Sequence, residues 1–303
     1  MGITPQLDQN KMEYFPNSGF YEEEPTELVK FDDSSLKVCV GIVDIVGSTR
    51  ITARLNNSSL AKLYGVFLNT IGTVITRYGG HVVKNIGDSI LYYFPEISDK
   101  SQLVRCIECS LAILQAHDYL NAKLKSYGLP KLDYRVSSDY GAVAIAETAA
   151  GKDIFGQPVN VCSKINHLAK PNSLVVGSDF FQLARVLECY KFEEVSGYDS
   201  GLKFSYPVYA VSHDEGKIRK VVGKCIEKAL MAMSTPDFEK VVSQLFEKHS
   251  CFLPDCYEKP QYLKEVLEEL YGNASVTIVE SIEKEIERQA APKPLAEFMF
   301  QLR

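Results

Sequence analysis

Two aspartates stand where the chain reverses direction. Asp44 lies at the end of an apolar run, KVCVGIVDIV at 37–46, which leads directly into Gly47-Ser48-Thr49. Asp88 ends the tight turn Ile86-Gly87-Asp88 between two short apolar runs. If those runs pair beside the first, both carboxylates emerge at one sheet edge. Mg²⁺ takes hard oxygen ligands and shares phosphate oxygens, so such a pair suits it. With two ions, one activates a hydroxyl while the other holds departing phosphates. The main-chain amides from Ile45 through Val46 and Gly47 to Ser48 open toward the start of a helix, where phosphate is well received.

Four further side chains extend this chemistry. Asn160 and Lys164 lie four residues apart on a predicted helix and so share a face. A lysine there can neutralise charge on a transferring phosphoryl group. Lys84 lies on the run leading to Asp88, and Asp153 lies in a glycine-flanked segment, GKDIFGQP at 151–158. Together they match adenine: lysine donates to N1 and aspartate accepts from the 6-amino group. Each residue also has a plainer reading. An aspartate after a strand is commonplace, and lysines mostly sit in solvent.

These positions require particular elements. The run 37–46 reads as a buried strand. Leu60, Leu63, Phe67, Ile71, Val74, Ile75 and Tyr78 repeat at helical spacing over 59–78, and Gly79-Gly80 stops that helix. Strands are predicted at 81–85 and 89–94, then a long helix over 101–127 ended by Gly128 and Pro130. Strands near 132–138 and 141–147 follow, then a loop at 151–158 and a helix near 159–169. Strands near 173–177, 190–195 and 206–211 complete the pattern. The order implies an α+β fold, a ferredoxin-like split βαβ arrangement with helices on one face of a mixed sheet. The other face needs cover from elsewhere, a partner among the candidates.

The chain divides accordingly. Residues 1–36 form a polar N-terminal extension with an acidic patch at Glu22 to Glu24, and 37–211 form the α+β domain. The charged stretch 212–220 is a linker. Helical patterns at 221–233, 237–249, 260–271 and 275–289, punctuated by Pro236, Pro254 and Pro260, make 221–303 a small all-helical domain.

Composition narrows the function classes. Hydrophobic residues make up 46% of 303 and the formal net charge is −6, which argues against a general nucleic-acid surface. No apolar run is long enough for a membrane span, and the N-terminus lacks a signal-peptide pattern. Most of the eight cysteines lie in apolar runs, as small hydrophobes do. The C-x-x-C at Cys106 and Cys109 falls inside a helical pattern and reads as buried thiols. His249, Cys251 and Cys256 lack the spacing and fourth ligand of a metal site. The expected compartment is the reducing cytoplasm.

Four segments together resemble a known family. They are Asp44-Ile45-Val46-Gly47-Ser48-Thr49, Lys84-Asn85-Ile86-Gly87-Asp88-Ser89, Arg135-Val136 to Gly141-Ala142-Val143, and Asp153-Ile154-Phe155-Gly156-Gln157-Pro158-Val159-Asn160-Val161-Cys162-Ser163-Lys164. Spaced in this order over about 37–211, they resemble the class III adenylate/guanylate cyclase family. The resemblance implies conversion of ATP to 3′,5′-cyclic AMP and pyrophosphate, with two Mg²⁺ or Mn²⁺ ions per site. It makes Asp44 and Asp88, with Ile45 beside them, the metal-binding residues, and the turn from Ile45 to Thr49 a substrate-binding segment. Lys84 and Asp153 become the adenine-selecting pair, and Asn160 the residue that orients the ribose. Lys164 stands where the family usually has an arginine that stabilises the transition state. The resemblance also implies a head-to-tail homodimer with each site shared between two chains. The lysine leaves a silent, nucleotide-binding regulatory module as an alternative, and guanylate cyclase is another. A GGDEF-type hairpin does not fit, since His81-Val82 follows Gly79-Gly80. The helical domain loosely resembles output domains of archaeal signalling proteins, which leaves dimerisation, sensing of a signal and contact with a signalling partner open as its role.

Overall fold

The computed structural model describes residues 29–95, 97–149, 151–198, 206–289 and 292–303. The acidic patch at Glu22 to Glu24 lies outside them. Eight strands form one sheet: β1 (Val29–Ile45), β2 (His81–Ile86), β3 (Ser89–Phe94), β4 (Tyr134–Thr148), β5 (Gly151–Phe155), β6 (Leu174–Gly177), β7 (Tyr190–Tyr198) and β8 (Tyr206–His213). Their order is β2-β3-β1-β4-β6-β8-β7, with β5 paired to β4. The β4–β6 pair is parallel and the others are antiparallel.

Strand β1 shows why the sheet is two-faced. Side chains alternate sides along a strand. Val38, Val40 and Ile42 join one apolar cluster, while Cys39, Val43 and Ile45 join another. The second, larger cluster lies under α2 (Asn57–Arg77), α3 (Lys100–Gln115) and α4 (His117–Ser126). Asn56 caps α2 by accepting from the Ser59 amide at 2.8 Å. Gly79, at φ +82°, follows its last turn in a conformation that suits glycine. Helix α2 buries Leu63, Val66, Phe67, Ile71 and Ile75, each contributing about 1.5–3 kcal/mol before the entropy of ordering.

The expected architecture is present, a mixed sheet in a ferredoxin-like arrangement followed by an all-helical region. Several details differ. The opposite sheet face is not left wholly to a partner: α5 (Gln157–Ile165) packs on it through Cys162, and Ile154 of β5 joins the same cluster. Strand β1 starts at Val29, eight residues earlier than its apolar run suggests, because Val29, Lys30 and Phe31 pair with the end of β4. The two strands expected at 132–138 and 141–147 are one strand, β4, continuous because β1 pairs along nearly its whole length. The segment expected as a loop at 151–158 contains β5 and the first two residues of α5. The long helix expected over 101–127 breaks at Ala116. There His117 Nε2 bonds Asp133 Oδ1 at 2.9 Å, and the Asn121 side chain holds the Leu132 main chain. A helix before β7, α6 (Ser178–Ala184), carries no strong sequence signal.

The charged stretch at 212–220 holds the end of β8 and the start of α7 (Glu215–Met231), capped by Asp214. After it come α8 (Thr235–His249), α9 (Pro260–Tyr271), α10 (Ser275–Glu287) and α11 (Lys293–Leu302). Their apolar faces are continuous with the core under the sheet. Cys106 and Cys109 are buried on α3. Among the described residues, no helix is long and apolar enough to cross a membrane.

Candidate active site

The sheet edge presents the two aspartates as the sequence suggests. Asp44 is the penultimate residue of β1 and pairs across the ladder with Ser89 of β3, so Asp88 in the β2–β3 turn lies beside it. Ser89 Oγ donates to Asp44 Oδ1. Partial burial raises the Asp44 carboxyl above its ordinary range. The Ser89 hydrogen bond opposes this, the Asp88 charge adds to it, and Arg135 opposes it. A half-buried carboxylate beside a second negative charge forms a natural seat for a dication. Among the described residues, no group of three or more His, Cys, Asp and Glu is arranged to hold a metal ion. Two carboxylates are the count a Mg²⁺ site needs when water and substrate phosphates complete its shell, so the residues present fit.

After β1 the chain turns through Gly47, whose φ of +66° is reached without strain only by glycine, into the short helix α1 (Ser48–Thr52). The Val46 amide donates to the Asp133 carbonyl at 2.9 Å. Gly47, Ser48 and Thr49 therefore form the open part of the turn.

Lys84 and Asp153 are 69 positions apart and form an ion pair, Lys84 Nζ donating to Asp153 Oδ2. Sheet register makes this contact informative. Lys84 aligns with Leu91, and Leu91 with Ile42, which pairs with Ser137 of β4. Asp153 aligns with Ala146. In a flat sheet those two levels of β4 are nine residues, about 30 Å, apart. The β4–β5 hairpin must bend back over the sheet to close that gap, and burial of Ile154 against Val40, Ile42 and Leu91 is what holds it there. Asp153 is 8% exposed, and its Oδ1 accepts from the Ile154 amide at 2.9 Å, so both oxygens are held in place.

Asn160 and Lys164 lie on the exposed face of α5, and Val161, Cys162 and Ile165 lie on its buried face. Three pairs thus emerge: Asp44 with Asp88, Lys84 with Asp153, and Asn160 with Lys164.

Arg135 is not distinguished by local pattern, although it lies in one of the four resembling segments. Arg135 pairs directly with Asp44 across β1 and β4, and cross-strand partners share a face. Its Nε is buried without a hydrogen-bond partner among the described residues. A buried guanidinium donor left unpaired is costly, and an anion at the Asp44 edge would satisfy it. The available signal was an arginine at the start of a strand expected to lie beside the first.

Comparison with known proteins identifies the family and the fold. The profile of the adenylate and guanylate cyclase catalytic domain matches residues 32–202, more than half of the chain. An adenylate cyclase of Streptomyces coelicolor is 30% identical over 144 residues, covering 48% of this chain and 33% of that protein. An adenylate cyclase of Anabaena cylindrica is 24% identical over 141 residues, 45% of this chain and 28% of that one. The chain spans about a third of the length of the curated relatives it matches. Among solved structures, the adenylyl cyclase CyaB from P. aeruginosa superposes with a TM-score of 0.55 at 19% identity, covering 60% of this chain and 96% of that one. The guanylyl cyclase domain of RhoGC from Blastocladiella emersonii gives 0.52 at 15%, covering 60% and 99%. Both likenesses establish the fold, and neither chooses a base. By its matched profile and its fold, the chain belongs to the adenylate and guanylate cyclase catalytic-domain family.

Proposed function

We propose that this protein is an adenylate cyclase that converts ATP to 3′,5′-cyclic AMP and pyrophosphate in sites shared between two copies of the chain. The observation that carries the choice of base is the Lys84–Asp153 pair. A lysine donor beside a carboxylate acceptor reads the N1 and 6-amino edge of adenine. Guanine presents the reverse pattern on that edge.

Two divalent ions, Mg²⁺ or Mn²⁺, held by Asp44 and Asp88 with the Ile45 main chain beside them, would supply charge to the triphosphate and acidify the ribose 3′-hydroxyl. The chain's own residues do the rest. Arg135 and the Gly47–Thr49 turn hold the triphosphate. Lys84 and Asp153 fix the base, and Asn160 of the second protomer orients the ribose. The 3′-oxygen forms a bond to the α-phosphorus while the bond from that phosphorus to the bridging oxygen breaks. Lys164 of the second protomer then faces the charge that builds on the α-phosphoryl group, where a fixed cation lowers the barrier.

A second copy suits the surface around Lys84. Val82 and Ile86 on the edge strand β2 are 44% and 48% exposed, and Phe155 and Phe31 are 42% and 57% exposed. The two phenylalanine rings meet edge to face at 5.6 Å. Apolar side chains grouped on an unpaired edge mark an association surface. A signalling partner for the helical region is a further part of this reading.

One observation favours a second reading, a silent nucleotide-binding module: Lys164 stands in the arginine position. Lysine keeps the charge but loses the planar fork. Incubation of the purified protein with ATP and Mg²⁺ or Mn²⁺ separates the two. Cyclic AMP and pyrophosphate in equal amounts support the enzyme. Tight nucleotide binding with no product under either metal supports the silent module.

A further inference from the structure

The buried face of α5 is held to the sheet by a small polar network, in a region otherwise packed by apolar contact. Asn166, 5% exposed, caps the C-terminal end of the helix two residues after Lys164. Its Nδ2 donates to Ser137 Oγ at 3.1 Å and to the Ile42 carbonyl at 3.3 Å. Ser137 is fully buried, and its Oγ donates to the Cys162 carbonyl at 2.9 Å. The Cys162 thiol, on the turn between Asn160 and Lys164, donates back to the Ser137 carbonyl at 3.2 Å. Every link joins α5 or its cap to β1 or β4.

The place of this network in the sheet matters. Ile42 and Ser137 are cross-strand partners, and Asp44 and Arg135 are the next such pair on the same face. The two rows are separated by about 7 Å along the strands. The helix that carries Asn160 and Lys164 is therefore bonded to the strand that carries Asp44, one row behind the carboxylate. Buried polar groups of this kind are expensive to leave unpaired, so the network holds the two elements in one relative position.

We propose that Ser137 and Asn166 are positioning residues that couple the two active sites of the dimer. The inference rests on the shared-site reading above. In that arrangement a chain gives Asp44 to one site and Asn160 with Lys164 to the other, so a bridge between β1 and α5 within one chain connects two different sites. A displacement of α5 as one site closes around nucleotide is passed through Asn166 to the strand that shapes the other. Besides packing and the main chain through β5, this network is the direct side-chain link between α5 and the row of the sheet behind Asp44.

Ser137→Ala removes the hub of the bridge at almost constant volume and leaves every proposed substrate-contacting side chain in place. Mixed dimers with a single live site give the decisive measurement. One protomer carries Asn160→Ala and keeps Asp44, and its partner carries Asp44→Ala and keeps Asn160. Only the site built from the retained Asp44 and the retained Asn160 can turn over. Ser137→Ala is then placed in one protomer or the other. Coupling predicts that kcat falls in both placements, on the order of tenfold, while KM for ATP changes by less than about threefold. A fall only when the change sits in the protomer that keeps Asn160 means that Ser137 merely anchors the helix, and overturns the proposal. So does an unchanged kcat in both. Hydrogen exchange on the Ser137→Ala homodimer provides a readout independent of turnover. Faster exchange in 157–165 together with 42–46 supports the bridge, and faster exchange in the helix alone overturns it. If the parent mixed dimer shows no activity despite subunit exchange, the shared-site reading fails, and the exchange result still decides whether strand and helix are coupled.

Discussion

Asp139→Asn tests the one carboxyl that this fold buries in the middle of its central strand. Asp139 lies on β4 opposite Val40, and only 1% of it is exposed. Tyr206 donates to both of its oxygens at 3.1 Å, and the Phe180 amide donates to Oδ1 at 3.4 Å. Burial dominates all the same and lifts the carboxyl from 3.8 to about 7, with the Asp179 charge adding to the rise. In the unfolded chain the group releases its proton near the ordinary value. Between the two, the folded chain binds more protons than the unfolded chain, so rising pH erodes stability. The contribution is whole below about pH 4 and lost above about pH 7, and the interval corresponds to about 4 kcal/mol. Asparagine keeps an acceptor for Tyr206 and cannot ionise. Urea unfolding of both proteins at intervals from pH 4 to 8 measures the difference, and other titrating groups cancel between them. The stability of the wild type minus that of the variant should fall by several kcal/mol across this range, with equal slopes in urea. A flat difference would refute the reasoning, because it would mean that the hydrogen bonds offset burial or that water reaches the site.

Lys164→Ala should lower kcat on the order of 10²-fold with little change in nucleotide affinity, while Lys164→Arg should retain activity. Single-turnover kinetics at saturating ATP, with dimerisation verified, checks both, and an unchanged kcat in the alanine variant removes Lys164 from the mechanism. Lys84→Ala should cut the preference for ATP over GTP in kcat/KM by about tenfold, the worth of one directed hydrogen bond. A ratio that does not move would show that this side chain does not read the base. Gly41→Ala should destabilise the chain by about 1–3 kcal/mol, measured by urea midpoint, since a methyl there overlaps the buried Tyr92 ring.

The fold class was legible in the order of the elements, and the sheet-edge positions of the two aspartates in local pattern. Asp44 lies near the end of an apolar run that leads into a glycine turn, and Asp88 lies in the glycine turn between two short apolar runs, so local pattern alone puts them at an edge. Lys84 and Asp153 were not adjacent by any local rule. Their contact depends on the backward bend of the β4–β5 hairpin, a tertiary effect of burying Ile154. Arg135, Ser137 and Asp139 read in the sequence as ordinary strand residues, because their surroundings come from what β1, α5 and α6 bring to them. The break at Ala116 escaped for the same reason: alanine favours continuing a helix, and the turn there is fixed by Asp133, sixteen residues past His117. Helix α11 was missed because it is short and follows Pro292, with no long repeat to announce it.

Strand β4 carries three unrelated duties on one side. Arg135 stands opposite the edge carboxylate, Ser137 bonds the helix and Asp139 is buried near α6, at every second position. This makes the strand intolerant of changes in length. One residue inserted or deleted between Arg135 and Gly141 would turn part of that set to the opposite face in a single event, whereas a substitution disturbs one duty at a time. The hairpin tip beyond Thr148 has no such constraint on its phase. Over long divergence, homologous chains should therefore keep the spacing of β4 fixed even where residues between these three positions change, and should accumulate their insertions at the tip.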